Sequence, residues 1–264
     1  MIRFLKILLF MSLILADITA FSLILRHNPG IVEYLYANNL LLLSASSLIL
    51  IFPALPLYML ITRQNLLSIL PLKPIGWKNA FYILLMTYLL SPAAWLLSAL
   101  TSLFYPNAAL GITEMFTLEN LPAAIATIAV LPSIIEEIIF RGVVLSDSKG
   151  FGITLAVVIN GILFGLIHMN PQQIPYALFL GLIFTLFVIH TNSIYSSILA
   201  HFLVNATNLL MALMQPDNME QATLSTEGLL PSLSILTVIA LIFFWGFLSV
   251  YKRFWLHNFV RNST

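Results

Sequence analysis

Apolar residues fall along this chain in long unbroken blocks separated by short polar breaks. They form neither the narrow stripe of a surface helix nor the alternation of a half-buried strand. A helix that crosses a bilayer core needs about 20 mostly apolar residues. Eight blocks meet or approach that length: Leu5–Leu25, Leu40–Ile61, Ala80–Phe104, Leu121–Leu145, Phe151–His168, Ile174–His190, Ile194–Leu213 and Leu229–Tyr251. Glu136, Glu137 and Arg141 interrupt the fourth, while the fifth and sixth are short and joined by a tight turn at Asn170-Pro171. Pro106, Pro122, Pro171, Pro175, Pro216 and Pro231 mostly mark block ends, where proline costs no helical hydrogen bond. Pro132 differs, lying inside the fourth block four residues before Glu136. A kink there either bends the helix without chemical consequence or frees a carbonyl beside the acids. No internal repeat or low-complexity segment divides the chain. The pattern therefore predicts one all-α domain over residues 1–264, a polytopic integral membrane bundle of about eight transmembrane helices.

Composition sharpens this. Hydrophobic residues make up 60% of the 264 and charged residues 8%, against roughly 45–50% and about 25% in soluble domains. So few charges cannot build a surface that faces water, which excludes a soluble enzyme. A net charge of +1 supplies no field to attract nucleic acid. With no cysteine, disulfides, thiolate nucleophiles and cysteine-based zinc sites are excluded.

The charges also orient the bundle. Arg3 and Lys6 precede the first block, Arg63, Lys73 and Lys78 lie between the second and third, and Arg141 and Lys149 sit near the connection of the fourth to the fifth. Lys252, Arg253 and Arg261 follow the eighth. An even number of spans puts all ten on one side, leaving Arg26 on the other with Glu33, Glu114, Glu119, Asp217, Glu220 and Glu227. By the positive-inside rule both termini are expected in the cytoplasm, the location being a cytoplasmic (bacterial inner) membrane. Arg3 and Lys6 look like the start of a signal peptide, but the apolar run continues to Leu25 without a small-x-small cleavage site, so a retained helix is expected. Asp17 inside that helix is expected to face the bundle interior.

Ionisable groups at membrane depth are costly and mark functional sites by default. Here they cluster as Glu136-Glu137 with Arg141 in the fourth block, His168 after Phe164 in the fifth, and His201 with Asn205 in the seventh. Glu137 and Arg141, four apart, share a helix face and can pair. Glu136 is rotated by about 100° and points elsewhere. If the fourth helix ends near Leu145, Glu136 lies roughly 15 Å deep and His201 roughly 10 Å from the same side, with Asn205 on the face of His201. His168, counted along a straight hairpin from Lys149, overshoots Glu136 by roughly 9 Å, a gap that tilt, a kink at Pro132 or a re-entrant start of the fifth helix has to close. A carboxylate in an apolar site is suited to act as general base on water, a histidine to orient that water or pass on its proton, and a second histidine with an amide to donate to an oxyanion. Together they make a site for amide hydrolysis without a covalent intermediate.

Glu136-Glu137-x-x-x-Arg141, Phe164-x-x-x-His168 and His201-x-x-x-Asn205 stand in the order of the three motifs of the CAAX prenyl protease and bacteriocin-processing (CPBP, Abi) family, and residues 121–213 resemble it. The resemblance implies an intramembrane glutamic endopeptidase. Glu136 and His168 would activate the water, His201 and Asn205 would stabilise the oxyanion, and Glu137, Arg141 and Phe164 would support the site. It further implies a metal-independent enzyme without cofactor, a site opening to the cytoplasmic side, and a membrane-embedded or lipidated polypeptide substrate.

Other intramembrane hydrolases leave no signature, since His-Glu-x-x-His, Gly-x-Ser-x-Gly and Gly-x-Gly-Asp are absent. One carboxylate and two imidazoles could hold zinc. A proton-linked transporter using the buried Glu–His set and a catalytically inactive scaffold that binds a partner's transmembrane helix are the alternative functions. His27, His190 and His257 are expected at interfaces, as are Tyr34, Tyr36, Trp77, Tyr105, Trp245 and Trp255 in aromatic belts or packing.

Overall fold

The computed structural model describes residues 2–49, 51–105, 116, 120–214 and 226–263. Eleven helices run through them: α1 Ile2–His27, α2 Pro29–Ala37, α3 Asn39–Leu48, α4 Ala54–Thr62, α5 Leu66–Ile69, α6 Trp77–Ser102, α7 Leu121–Phe151, α8 Ile153–Leu166, α9 Ile174–Thr191, α10 Ile194–Leu213 and α11 Thr226–Ser263. The described residues contain no strand, only an isolated antiparallel bridge between Leu72 and Ser193. The protein is an all-α polytopic membrane bundle.

Six helices are long and apolar enough to cross a membrane, among the described residues: α1, α6, α7, α9, α10 and Gly228–Val260 of α11. The other two expected spans take different forms. Leu40–Ile61 is broken between α3 and α4, around Pro53. α8 is a 14-residue apolar helix, about 21 Å long at 1.5 Å per residue and short of the roughly 30 Å core. Asp17 meets the second piece of this block: its Oδ2 accepts the Ala54 N–H at 2.7 Å. A carboxylate from α1 thus satisfies one of the unpaired donors that any helix start leaves, here the first turn of α4. Glu114, Glu119, Asp217, Glu220, Pro106 and Pro216 lie outside the described residues.

One end of the bundle collects the cation-bearing segments. The Arg3 side chain fills the space a Cβ would take at Gly150. Tyr58 and Gln64 both donate to the buried Asp147 carboxylate. Ser193 Oγ donates to the Lys73 carbonyl, and Ile194 N–H to Pro71 at 2.8 Å. Asn79 and Asn258 exchange amide hydrogen bonds at 3.0 Å. Lys252, Arg253 and Arg261 sit on the continuation of α11 rather than in a loop after it.

Two features set the depth of the site. α7 runs to Phe151 instead of stopping near Leu145, and α8 restarts at once after Gly152, whose φ of 96° no side chain would favour. Glu136 and His168 therefore lie equally far along the chain from this hairpin, 15 residues each, with His168 in the turn just past the end of α8. The expected 9 Å overshoot came from placing the turn at Lys149, three residues before Gly152. The second feature is winding. α7 carries π-helical turns at Ile125–Val130 and Ile138–Val144 on either side of Leu131–Glu137, the turn that holds both glutamates. Such wide turns concentrate at functional sites.

Glycine sets how closely α8 and α9 approach. A Cβ at Gly165 would lie 2.9 Å from the Ile174 carbonyl oxygen, and one at Gly181 would lie 3.0 Å from Phe164 Cβ and 3.1 Å from Gly161 Cα. Gly161 and Gly165 form a Gly-x-x-x-Gly face, the spacing that lets membrane helices pack backbone to backbone.

Candidate active site

The support beneath the site is ionic and buried. Arg141 Nη1 donates to Glu137 Oε1 at 2.9 Å, and both side chains are fully buried. Arg141 Nη2 donates to the Gly181 carbonyl at 2.9 Å, tying α7 to α9. The guanidinium carbon lies 4.5 Å from the centre of the Phe164 ring and 5.5 Å from that of Phe184, a geometry in which aromatic faces attract a cation. The pairing expected from i,i+4 spacing is present, and it does more than compensate charge. Glu137 Oε1 also accepts from His201 Nδ1 at 3.0 Å, so Arg141 holds Glu137 and Glu137 holds the His201 ring.

That bond decides which nitrogen of His201 is available. With Nδ1–H committed to Glu137, Nε2 is the free nitrogen, and it stands 3.9 Å from Glu136 Oε2. Glu136 Oε2 is buried and makes no hydrogen bond among the described residues. The two adjacent glutamates thus differ in role by rotation alone. Glu137 turns into the packed interior, while Glu136 faces a cavity of about 530 Å³.

Phe164, His168, His201 and Asn205 line the same cavity with Glu136. His168 Nδ1 donates to the Phe164 carbonyl one turn earlier, at 2.8 Å. This leaves Nε2 of the neutral ring with a lone pair able to take a proton. The Phe164 ring packs edge-on against His168 and His201, with centroids 5.3 and 5.6 Å apart, and against Phe140 at 5.2 Å. It is the aromatic wall that holds both imidazoles and covers Arg141. Asn205 Nδ2 donates at 3.3 Å to the Ile128 carbonyl. That carbonyl lies four residues before Pro132, which has no N–H to offer it. The Ile128 carbonyl is thus taken up by a residue of the cavity wall.

All seven residues singled out from the sequence therefore meet, four of them and Phe164 on the cavity and the Glu137–Arg141 pair directly behind it. Among the described residues no group of three or more His, Asp or Glu side chains is arranged to hold a metal ion. Sequence reasoning missed Tyr176, Trp95 and Gln172 in the cavity wall, and the Gly161, Gly165 and Gly181 contacts that fix the α8–α9 distance. The first three carry no spacing signal, whereas the Gly-x-x-x-Gly of α8 was legible. His190, in the last turn of α9, is paired with the Tyr251 hydroxyl at 2.7 Å.

Two expectations, a mouth on the cytoplasmic side and the cations on that same side, do not hold together. The cavity extends from Glu136 and His201 past Ser98, Gln172, Asn208, Met211 and Ala212, residues at the end of the bundle opposite the cation-bearing segments. Toward the cations the site is closed by Glu137, Phe140, Arg141, Val143, Val144 and Leu145, all 0–1% exposed. The cations and the mouth of the site do not share a face.

A buried carboxylate beside two oriented histidines, on three helices of a membrane bundle, is an arrangement able to activate water for hydrolysis. Residues 118–207 match the family model described as Rce1-like, type II CAAX prenyl endopeptidase. The match covers α7 through most of α10 and contains every site residue, which bears out the resemblance carried by the three motifs. No curated protein and no solved structure matches the chain.

Proposed function

We propose that the protein is a metal-independent intramembrane glutamic endopeptidase that cleaves a peptide bond of a membrane-presented or lipidated substrate. Glu136 and His168 activate a water molecule in the cavity. The water oxygen attacks the scissile carbonyl carbon while its proton passes to the carboxylate–imidazole pair. The Asn205 amide, and His201 once its Nε2 also carries a proton, donate to the oxyanion that forms. Collapse of that intermediate breaks the C–N bond, and the captured proton goes to the leaving amine. Glu137, Arg141 and Phe164 position His201 and His168 without touching the reacting atoms.

The observation that carries this reading is the division of labour between the two glutamates. One is neutralised and spent on orienting a histidine; the other offers an unpaired carboxylate oxygen to the same cavity. The test is cleavage of a membrane-tethered reporter peptide by protein purified in detergent. Activity should vanish in Glu136→Gln and His168→Ala and survive a chelator. Loss with chelator and recovery with zinc would overturn the metal-free mechanism. Cleavage that persists in Glu136→Gln would overturn the assignment of the base.

A further inference from the structure

His168 is carried differently from the other site residues. Glu136, His201 and Asn205 sit inside helices, whereas α8 ends at Leu166 and His168 lies in the turn beyond it. The backbone of His168 and Met169 keeps only turn-type bonds to α8, from His168 N–H to Gly165 at 3.3 Å and from Met169 N–H to Leu166 at 3.0 Å. Met169 takes a left-handed φ of 50°, which a residue with a side chain holds only where its surroundings enforce it. The Phe164 carbonyl and ring hold the imidazole, but the turn that carries it has to be fixed from elsewhere.

The fixing comes from α6. Gln172 is 1% exposed, and its Nε2 donates to Ser98 Oγ at 2.8 Å and to Ser102 Oγ at 3.1 Å. The Thr101 hydroxyl stands 2.9 Å from the Gln172 carbonyl. Gln172 N–H donates to Asn170 Oδ1 at 3.0 Å, so the turn is closed on itself and tied to α6 at one residue. Gln172 Oε1 is buried and makes no hydrogen bond among the described residues. An apolar side chain of similar length would avoid that unpaired acceptor, so placement rather than stability explains a glutamine here. α6 carries none of the three motifs and precedes the matched residues 118–207.

Resting on the endopeptidase reading above, we propose that Gln172 is a positioning residue for His168. It latches the α8–α9 turn to α6 and so sets the depth and aim of the imidazole from outside the three motifs. α6 is then a working part of the site, acting through Gln172 without touching the reacting atoms. Because His168 shares the activation of water with Glu136, a shift of about 1 Å in its ring falls on turnover, at a cost of up to about 100-fold.

The latch can be cut from either side. Gln172→Met removes the amide and keeps the length, while the double variant Ser98→Ala/Ser102→Ala removes both hydroxyls and leaves Gln172 in place. Ser98 is half-buried and Ser102 exposed, and alanine suits a helix, so the serine variant decides the matter if Gln172→Met does not fold. Each variant should lower kcat on the reporter peptide by about 10- to 100-fold with KM within about threefold. Combining the two cuts should add nothing further, since both break one connection. A second readout needs no turnover: the imidazole nitrogen signals of protein carrying isotope-labelled histidine, with that of His168 identified by its loss in His168→Ala. The His168 signal should move in both variants and that of His201 should stay. Turnover within about twofold of the parent chain, an unmoved His168 signal, or additive losses would each overturn the latch. A parent chain that cleaves nothing would count against the endopeptidase reading alone, and the His168 signal would still decide whether Gln172 positions the ring.

Discussion

Replacing Arg141 by alanine should unfold this protein before it informs on its chemistry. The side chain is 1% exposed and makes two charge-assisted hydrogen bonds of 2.9 Å, one to Glu137 and one to Gly181. Its guanidinium also lies over Phe164 at 4.5 Å. Removing one partner of a buried ion pair costs about 3–5 kcal/mol, because the other charge is left uncompensated. A total stability of about 5–15 kcal/mol absorbs that poorly. At about 1.4 kcal/mol per decade, the folded-to-unfolded ratio should fall by roughly two to three and a half orders of magnitude. The assay is denaturing-detergent titration of purified protein, with monodisperse yield on size exclusion as the first readout. Arg141→Lys should recover only part of the loss, since an ammonium cannot reach Glu137 and Gly181 with a planar fork. Pairing Arg141→Met with Glu137→Gln should recover more than Arg141→Met alone, because the stranded carboxylate is then gone. A loss below about 1 kcal/mol in Arg141→Ala, the range of exposed pairs, would refute the reasoning. Normal yield with selectively reduced turnover would contradict the supporting role.

Two further outcomes follow from the same geometry. Glu137→Gln keeps the volume but weakens the hold on His201 Nδ1, so turnover should drop by about 100-fold, the effect of misplacing a catalytic group by about 1 Å, with little change in KM. Turnover within about twofold of the parent chain would show that His201 is held by packing alone. Gly165→Ala places a methyl 2.9 Å from the Ile174 carbonyl oxygen and should cost about 1–3 kcal/mol of stability by overpacking. Gly30→Ala, where a methyl meets nothing within 4 Å, is the control, and equal behaviour of the two would remove the close α8–α9 contact as a determinant.

Much of this protein was fixed by order and composition. A chain so poor in charge must use lipid as solvent, and in lipid every backbone group has to be paired within a helix. The all-α bundle and its spans over α1, α6, α7, α9 and α10 follow from block length alone. The i,i+4 spacing of Glu137 and Arg141 foretold their pair because a helix turn is local. The three motifs named the cavity residues because polar groups stand out against so apolar a background.

What the sequence left open was whatever depends on how helices meet. Where α7 ends decided whether His168 could reach the depth of Glu136, and that end is set by continued winding through Phe151 rather than by a turn at Lys149. Asp17 found its partner 37 positions away at Ala54, and His201 found Glu137 at a separation of 64. Counting along a helix cannot supply either contact. The direction of the cavity is of the same kind. Charge placed the cations at one end, but only the packing of Phe140, Arg141 and Val144 closed the site toward that end and left it open at the other.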